Sequence, residues 1–122
     1  MNKRFTFLLL TVFALFNTQA QEVYWPTEIG EINTGSNATY LVQNVSLDTE
    51  NIFFGYLLGA FYTNDNGELS CGGVTTWGGV QTSLSVFADD STTPEKDGFS
   101  DGEQITWLAY GSFSEHTYNA SV

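Results

Sequence analysis

From residue 37 onward, apolar and polar positions alternate in short runs broken by Gly, Asn and Asp, and no run keeps a helical period. Ala38–Val45 predicts a strand with Ala38, Tyr40, Val42 and Asn44 on one face. Ile52–Thr63 is apolar on both faces, as a central strand of a sandwich requires, and its aromatics with Gly55 and Gly59 favour strand over a short buried helix. Asn64-Asp65-Asn66-Gly67 follows at once. Asn-Gly between apolar runs is a strong hairpin signal, because both residues tolerate positive φ. The return strand is predicted over Glu68–Thr76, and Trp77-Gly78-Gly79 makes the next turn. Gln81–Ala88 then alternates, with Leu84, Val86 and Ala88 on one face and Ser83, Ser85 and Phe87 on the other. After a long loop over Asp89–Gly102, Glu103–Tyr110 places Ile105, Trp107 and Ala109 on one face, and Thr117–Val122 begins one more strand. At least five short strands with frequent turns make an all-β fold, a small antiparallel β-sandwich over residues 37–122. Tyr118–Val122 stops in mid-strand, so the sequence reads as a truncated product or as one module of a longer chain.

The first 36 residues differ. Lys3 and Arg4 precede the apolar stretch Phe5–Phe16, and Thr18 and Ala20 supply small side chains beyond it. That is the layout of a secretory signal peptide over residues 1–20, cut after Ala20. An apolar run of this length is too short to span a bilayer comfortably. The expected product is secreted or held at the cell surface, with no membrane insertion once the signal is removed. Residues 21–36 read as an extended lead-in with turns at Trp25-Pro26 and Thr34-Gly35-Ser36.

Cleavage sharpens the charge imbalance. The full chain carries 14 Asp+Glu against 3 Lys+Arg, but two of the bases are Lys3 and Arg4. The mature domain keeps every acid and only Lys96, a formal −13 against −11 for the full chain. With no Arg and a single Lys, the mature domain has almost nothing to replace phosphate counterions, which argues against nucleic acid, and it has no basic patch for anionic lipid. Cys71 is the single cysteine, so no internal disulfide forms and the fold rests on its core. The pattern around Cys71 reads as a small buried hydrophobe. His116, the only histidine, lies among polar residues near the chain end and reads as surface.

Six of the 14 acids fall within Asp89–Glu103. Two carboxylates 6 Å apart repel by roughly 0.7 kcal/mol in water and by several times that near a protein surface. Such a loop needs solvent, hydrogen-bond donors or a cation. Calcium is the candidate cofactor, with Asp89, Asp90, Asp97, Asp101 and Glu103 as its candidate ligands, although the spacing is not that of an EF-hand. The alternative is a purely structural loop, with Asx or Ser turns at Asp90 and Ser91, Thr93 and Pro94 opening a helical turn, and Phe99 plugging the loop onto the core. Paired-carboxylate hydrolysis is disfavoured because a domain this small has little room for a substrate cleft. The aromatic richness raises carbohydrate binding by ring stacking, with Trp77 beside Gly78-Gly79 as the candidate platform and Trp25 as a second; Trp107 reads as core. Asn37-Ala38-Thr39, Asn44-Val45-Ser46 and Asn119-Ala120-Ser121 match the glycosylation sequon, which matters only in a eukaryotic secretory pathway.

Gly59-Ala60-Phe61-Tyr62, Asp65-Asn66-Gly67, Cys71-Gly72-Gly73, Trp77-Gly78-Gly79, the stretch Asp89–Phe99 and Asp101-Gly102-Glu103 occur in that order. The series resembles an all-β module of secreted and cell-surface proteins of Bacteroidota, over roughly residues 36–110. The resemblance implies a non-catalytic accessory or adhesion-type domain, often one of several in a large exported protein, and supplies no ligand; a glycan or another surface protein is the expected partner. This chain departs from the pattern at Tyr56-Leu57-Leu58, where the modules often carry an acid, and at Phe87-Ala88, where they usually carry Trp-Gly before the paired aspartates.

Overall fold

The structure, a computed structural model, describes residues 12–19, 22–26 and 31–122. The expected basic residues Lys3 and Arg4 and the cleavage point after Ala20 lie outside the described residues. Among the described residues there are nine strands and no helix: β1 Val12–Gln19, β2 Asn37–Val42, β3 Asn44–Leu47, β4 Glu50–Asn51, β5 Tyr56–Thr63, β6 Leu69–Trp77, β7 Thr82–Phe87, β8 Thr106–Gly111 and β9 His116–Ser121. Seven form one sheet in the order β4-β3-β1-β9-β8-β5-β6, and β2 pairs with β7 in a second. Every pairing is antiparallel except that of β1 with β3. The all-β sandwich expected from the alternation is therefore the observed fold.

The core fills the space between the sheets. Leu58, Ala60 and Tyr62 of β5, Trp77 of β6 and Ala109 of β8 meet Val42 of β2 and Leu84 and Val86 of β7. Alternation along each strand selects these residues, since successive side chains point to opposite faces. The sheets approach closely at Gly73: a Cβ there would stand 2.1 Å from the carbonyl oxygen of Ser85. A glycine is needed for that contact. Beside it the β5–β6 register slips by one residue at Ala60/Phe61, a β-bulge that takes up Gly72.

The opposite face of the large sheet carries a smaller apolar cluster. Phe61 and Leu108 are buried there but lie outside the main core. Trp25 of the lead-in covers them, its ring edge-on to Phe61 at 5.0 Å and tilted against Tyr110 at 5.9 Å. The indole Nε1 donates to Thr117 Oγ1 at 3.0 Å.

Several elements differ from the sequence expectation; among them, Trp77 ends β6 instead of opening a turn, and the strand expected from Glu103 begins only at Thr106. The strand expected over Ala38–Val45 is two strands, β2 and β3, separated by Gln43. Val42 and Val45 are both fully buried, and residues three apart in a flat strand face opposite sides, so the chain turns between them and crosses from one sheet to the other. The strand expected from Ile52 begins only at Tyr56, after a bend at Phe54-Gly55 with Gly55 at φ +88°. Before that bend, the short β4 pairs with β3 through Asp48 and Thr49, both at positive φ, the sign pattern of a type I′ hairpin. The Asn64–Gly67 hairpin forms as expected, but only Gly67 takes positive φ. Gly67 N donates to the Asn64 carbonyl at 3.0 Å, and Asn64 Oδ1 accepts from the amides of Asn66 and Glu68.

Candidate functional site

The acidic loop after β7 is a folded piece in which the carboxylates of Asp89, Asp90 and Asp97 accept from donors of the loop itself. It starts with a parallel bridge between Ala88 and Phe99, in which Asp89 N donates to the Phe99 carbonyl and Phe99 N to that of Phe87. Gly98 permits this return, because a Cβ there would lie 2.5 Å from the Ala88 carbonyl. Phe99 is buried against Tyr62, ring centroids 5.5 Å apart, which is the plug expected from the sequence. Asp89 Oδ1 accepts from Asp97 N at 2.7 Å, and Asp97 Oδ1 accepts from Asp90 N at 2.9 Å. Asp97 Oδ2 accepts from Thr93 Oγ1 at 3.2 Å. Asp90 Oδ1 accepts from both Thr92 Oγ1 and Thr92 N, and these bonds hold its carboxyl below the usual range.

Lys96 ties the loop to the sheet. Its Nζ donates to Glu103 Oε1 at 2.7 Å and to the Thr63 carbonyl at 2.7 Å, and it stands 5.4 Å from the centre of the Tyr62 ring. Its backbone N donates to Asp65 Oδ2 in the β5–β6 turn. Glu103 in turn accepts from Ser100 N and Thr63 N. Burial opposes ionisation of Glu103, but the Lys96 bond and the two amides outweigh it and keep the carboxyl below its ordinary value. The only base beyond Arg4 is thus a structural staple. Its position as one cation among six acids was the sequence signal for that role.

Asp89, Asp90, Asp97, Asp101 and Glu103 are the expected calcium ligands. Among the described residues no three His, Cys, Asp or Glu side chains are grouped to hold a metal ion. Asp89, Asp90 and Asp97 face backbone amides and hydroxyls, Glu103 faces Lys96, and Asp101 is exposed at the turn that follows. The charge is dispersed by hydrogen bonding rather than gathered on one point.

The expected stacking platform is Trp77, with Trp25 as the second candidate. Trp77 is 2% exposed, and its Nε1 donates to the Ile52 carbonyl at 2.7 Å. An enclosed ring has no free face for a sugar. Trp25, the second candidate, is half-buried and pinned across the outer face of the sheet by the contacts described above. Both indoles serve packing, Trp77 within the main core and Trp25 over the outer face of the large sheet.

The structure instead exposes aromatics that the sequence reading placed in a central strand or passed over. Phe53 and Phe54 precede β5 and are 65% and 67% exposed, and Phe113, in the β8–β9 turn, is 80% exposed. Phe54 and Phe113 meet edge-on at 6.1 Å, and exposed Val80 lies in the neighbouring β6–β7 turn, whose Gly79 abuts the backbone of Phe53. An aromatic inside the polar turn Ser112-Phe113-Ser114-Glu115 was a legible sign of exposure. This apolar end and the acidic loop lie at opposite ends of β5, about 24 Å apart at 3.4 Å per residue.

Beside the acidic loop a recess of about 350 Å³ is lined by Tyr40, Phe87, Phe99, Asp101, Glu103 and Ile105, among others. Glu103 is held by Lys96, and burial raises the Tyr40 phenol. Cys71 Sγ donates to the Gly73 carbonyl at 3.3 Å, and burial pushes the thiol up to about 12. Three strand spacings, roughly 14 Å, separate the strand of Cys71 from that of exposed His116, so the two cannot act as a pair. No family model, curated protein or solved structure matches the chain.

Proposed function

We propose that this chain is an exported, non-catalytic β-sandwich module that binds a surface protein or a glycan, either in adhesion or as an accessory part of a larger exported assembly. The observation that carries this reading is the apolar end formed by Phe53, Phe54, Phe113 and Val80. Exposed, clustered large apolar groups mark interaction sites more often than isolated ones do. Three separate turns supply them, so their placement depends on the sandwich rather than on one flexible loop. The hydrogen-bonded carboxylates of the acidic loop and the raised Cys71 thiol support the non-catalytic part of the proposal. The test is binding of the intact protein to arrays of immobilised extracellular proteins and glycans, beside the double variant Phe54→Ser/Phe113→Ser. Selective binding that falls at least tenfold in the double variant is expected. Binding that the double variant retains in full removes the apolar end as the site. Catalytic turnover of any arrayed glycan or protein would overturn the non-catalytic reading.

A further inference from the structure

The strand β1 occupies a slot in the middle of the large sheet. It runs parallel to β3, with Val12 to Leu15 registered on Asn44 to Leu47, and antiparallel to β9, with Ala14 on Ser121, Leu15 on Ala120 and Gln19 on Tyr118. The same residues fall inside the stretch laid out as an export signal, ahead of the cut after Ala20. Removing that stretch takes out all of β1. Two edges would then face each other across a gap of two strand spacings, about 9.6 Å. The core flank of the gap is apolar: Val45 is buried, and Leu47, Tyr118 and Ala120 pack against the core from β3 and β9. Unpaired amides and carbonyls of both edges would line it. An open edge of this kind is a template for another strand.

We propose that the exported domain is a strand acceptor, in which the slot between β3 and β9 takes an extended segment of another polypeptide running antiparallel to β9. Main-chain hydrogen bonds to both edges provide affinity, and alternate side chains provide selectivity, the mode of β-strand addition. The register defines the donor. Positions equivalent to 13 and 15 fall level with Val45, Leu47 and Ala120, so alternate residues must be apolar. The formal −13 of the exported domain favours a donor flanked by Lys or Arg. Closure of the gap by direct β3–β9 pairing is the competing outcome. It requires β3 to leave the place that buries Val45 and that the bond from Ile52 N to the Val45 carbonyl holds at 3.0 Å.

The inference rests on the export reading, and the two are tested apart. N-terminal sequencing of the exported protein should begin at Gln21. A product beginning at Met1 defeats the export reading and, because the slot is then permanently filled, this proposal too. The slot itself is tested on the full chain carrying a protease site after Ala20. After cutting, a labelled peptide with the sequence of residues 12–19 should displace the resident strand and saturate by fluorescence anisotropy. The same peptide with Phe13→Asp and Leu15→Asp should bind at least tenfold more weakly. Hydrogen exchange should show the amides of 44–47 and 118–121 losing protection when the resident strand is washed out and regaining it with the peptide. Protection that persists without any strand, protection lost and not restored by the peptide, or equal binding of the charged peptide would each overturn the proposal.

Discussion

Replacing Lys96 with Met keeps most of the methylene stem and removes the charge that joins the acidic loop to β5. The substitution leaves Glu103 without its cation and the Thr63 carbonyl without its Nζ donor, both at 2.7 Å in the native protein. The two side chains of the pair are only 19% and 17% exposed, so solvent screens them less than a surface pair. Surface pairs contribute about 0–1 kcal/mol, and breaking a buried pair costs about 3–5 kcal/mol. This pair lies between, and a loss of about 2–3 kcal/mol is expected. For a chain of this length that is a fall in Tm of roughly 8–12 °C. Thermal unfolding followed by circular dichroism at neutral pH provides the reading, with Lys96→Arg retaining much of the stability. Acid titration adds a check of sign. The Glu103 carboxyl is held below its ordinary value of 4.5 in the folded protein, so its contribution is present above 4.5 and disappears as pH falls through the lowered value. Glu103→Gln should therefore lose stability at pH 7 and show a flatter decline below pH 4.5. A Lys96→Met protein within about 0.5 kcal/mol of wild type, the usual scatter of surface substitutions, would refute the assignment of Lys96 as the staple.

Three other outcomes follow from the packing. Gly73→Ala places a methyl against the backbone of Ser85 and should destabilise by more than about 3 kcal/mol, read as a lower urea midpoint or as loss of soluble protein. Trp77→Phe loses ring volume and the donor to the Ile52 carbonyl, so a loss of about 2–3 kcal/mol is expected in urea unfolding; a change below 1 kcal/mol would contradict its burial. Cys71 should react with a disulfide reagent at pH 8 on the order of 10³ times more slowly in the native protein than in urea, because so little of the thiol ionises; equal rates would contradict the raised value of about 12.

Much of this protein is readable from local pattern. The alternation of Leu84 with Val86 and of Trp107 with Ala109 assigns strand faces, because the two-residue period of a strand is a local property. Asn64–Gly67 encodes its hairpin through backbone chemistry that needs no distant partner, and Phe99, an apolar residue among acids, announces its insertion into the core. Other features depend on what packs against what. Trp77 beside two glycines looks like an exposed platform, but in the fold it is buried in the main core with its Nε1 on the Ile52 carbonyl. The six loop acids read equally as a cation site or a structural loop, and only the chain fold supplies amides to Asp89 and Asp97, the Thr92 amide and hydroxyl to Asp90, and Lys96 to Glu103. Phe53 and Phe54 look like core until the bend ahead of β5 turns them outward to meet Phe113 from another turn. The sequence by itself determined the strand periodicity, the all-β class and the concentration of charge, since each is written in neighbouring residues. Only the tertiary structure decided which rings are enclosed, which acids find donors and which strand fills the slot between β3 and β9. Those are contacts between segments distant in the chain, and local composition does not specify which segments meet.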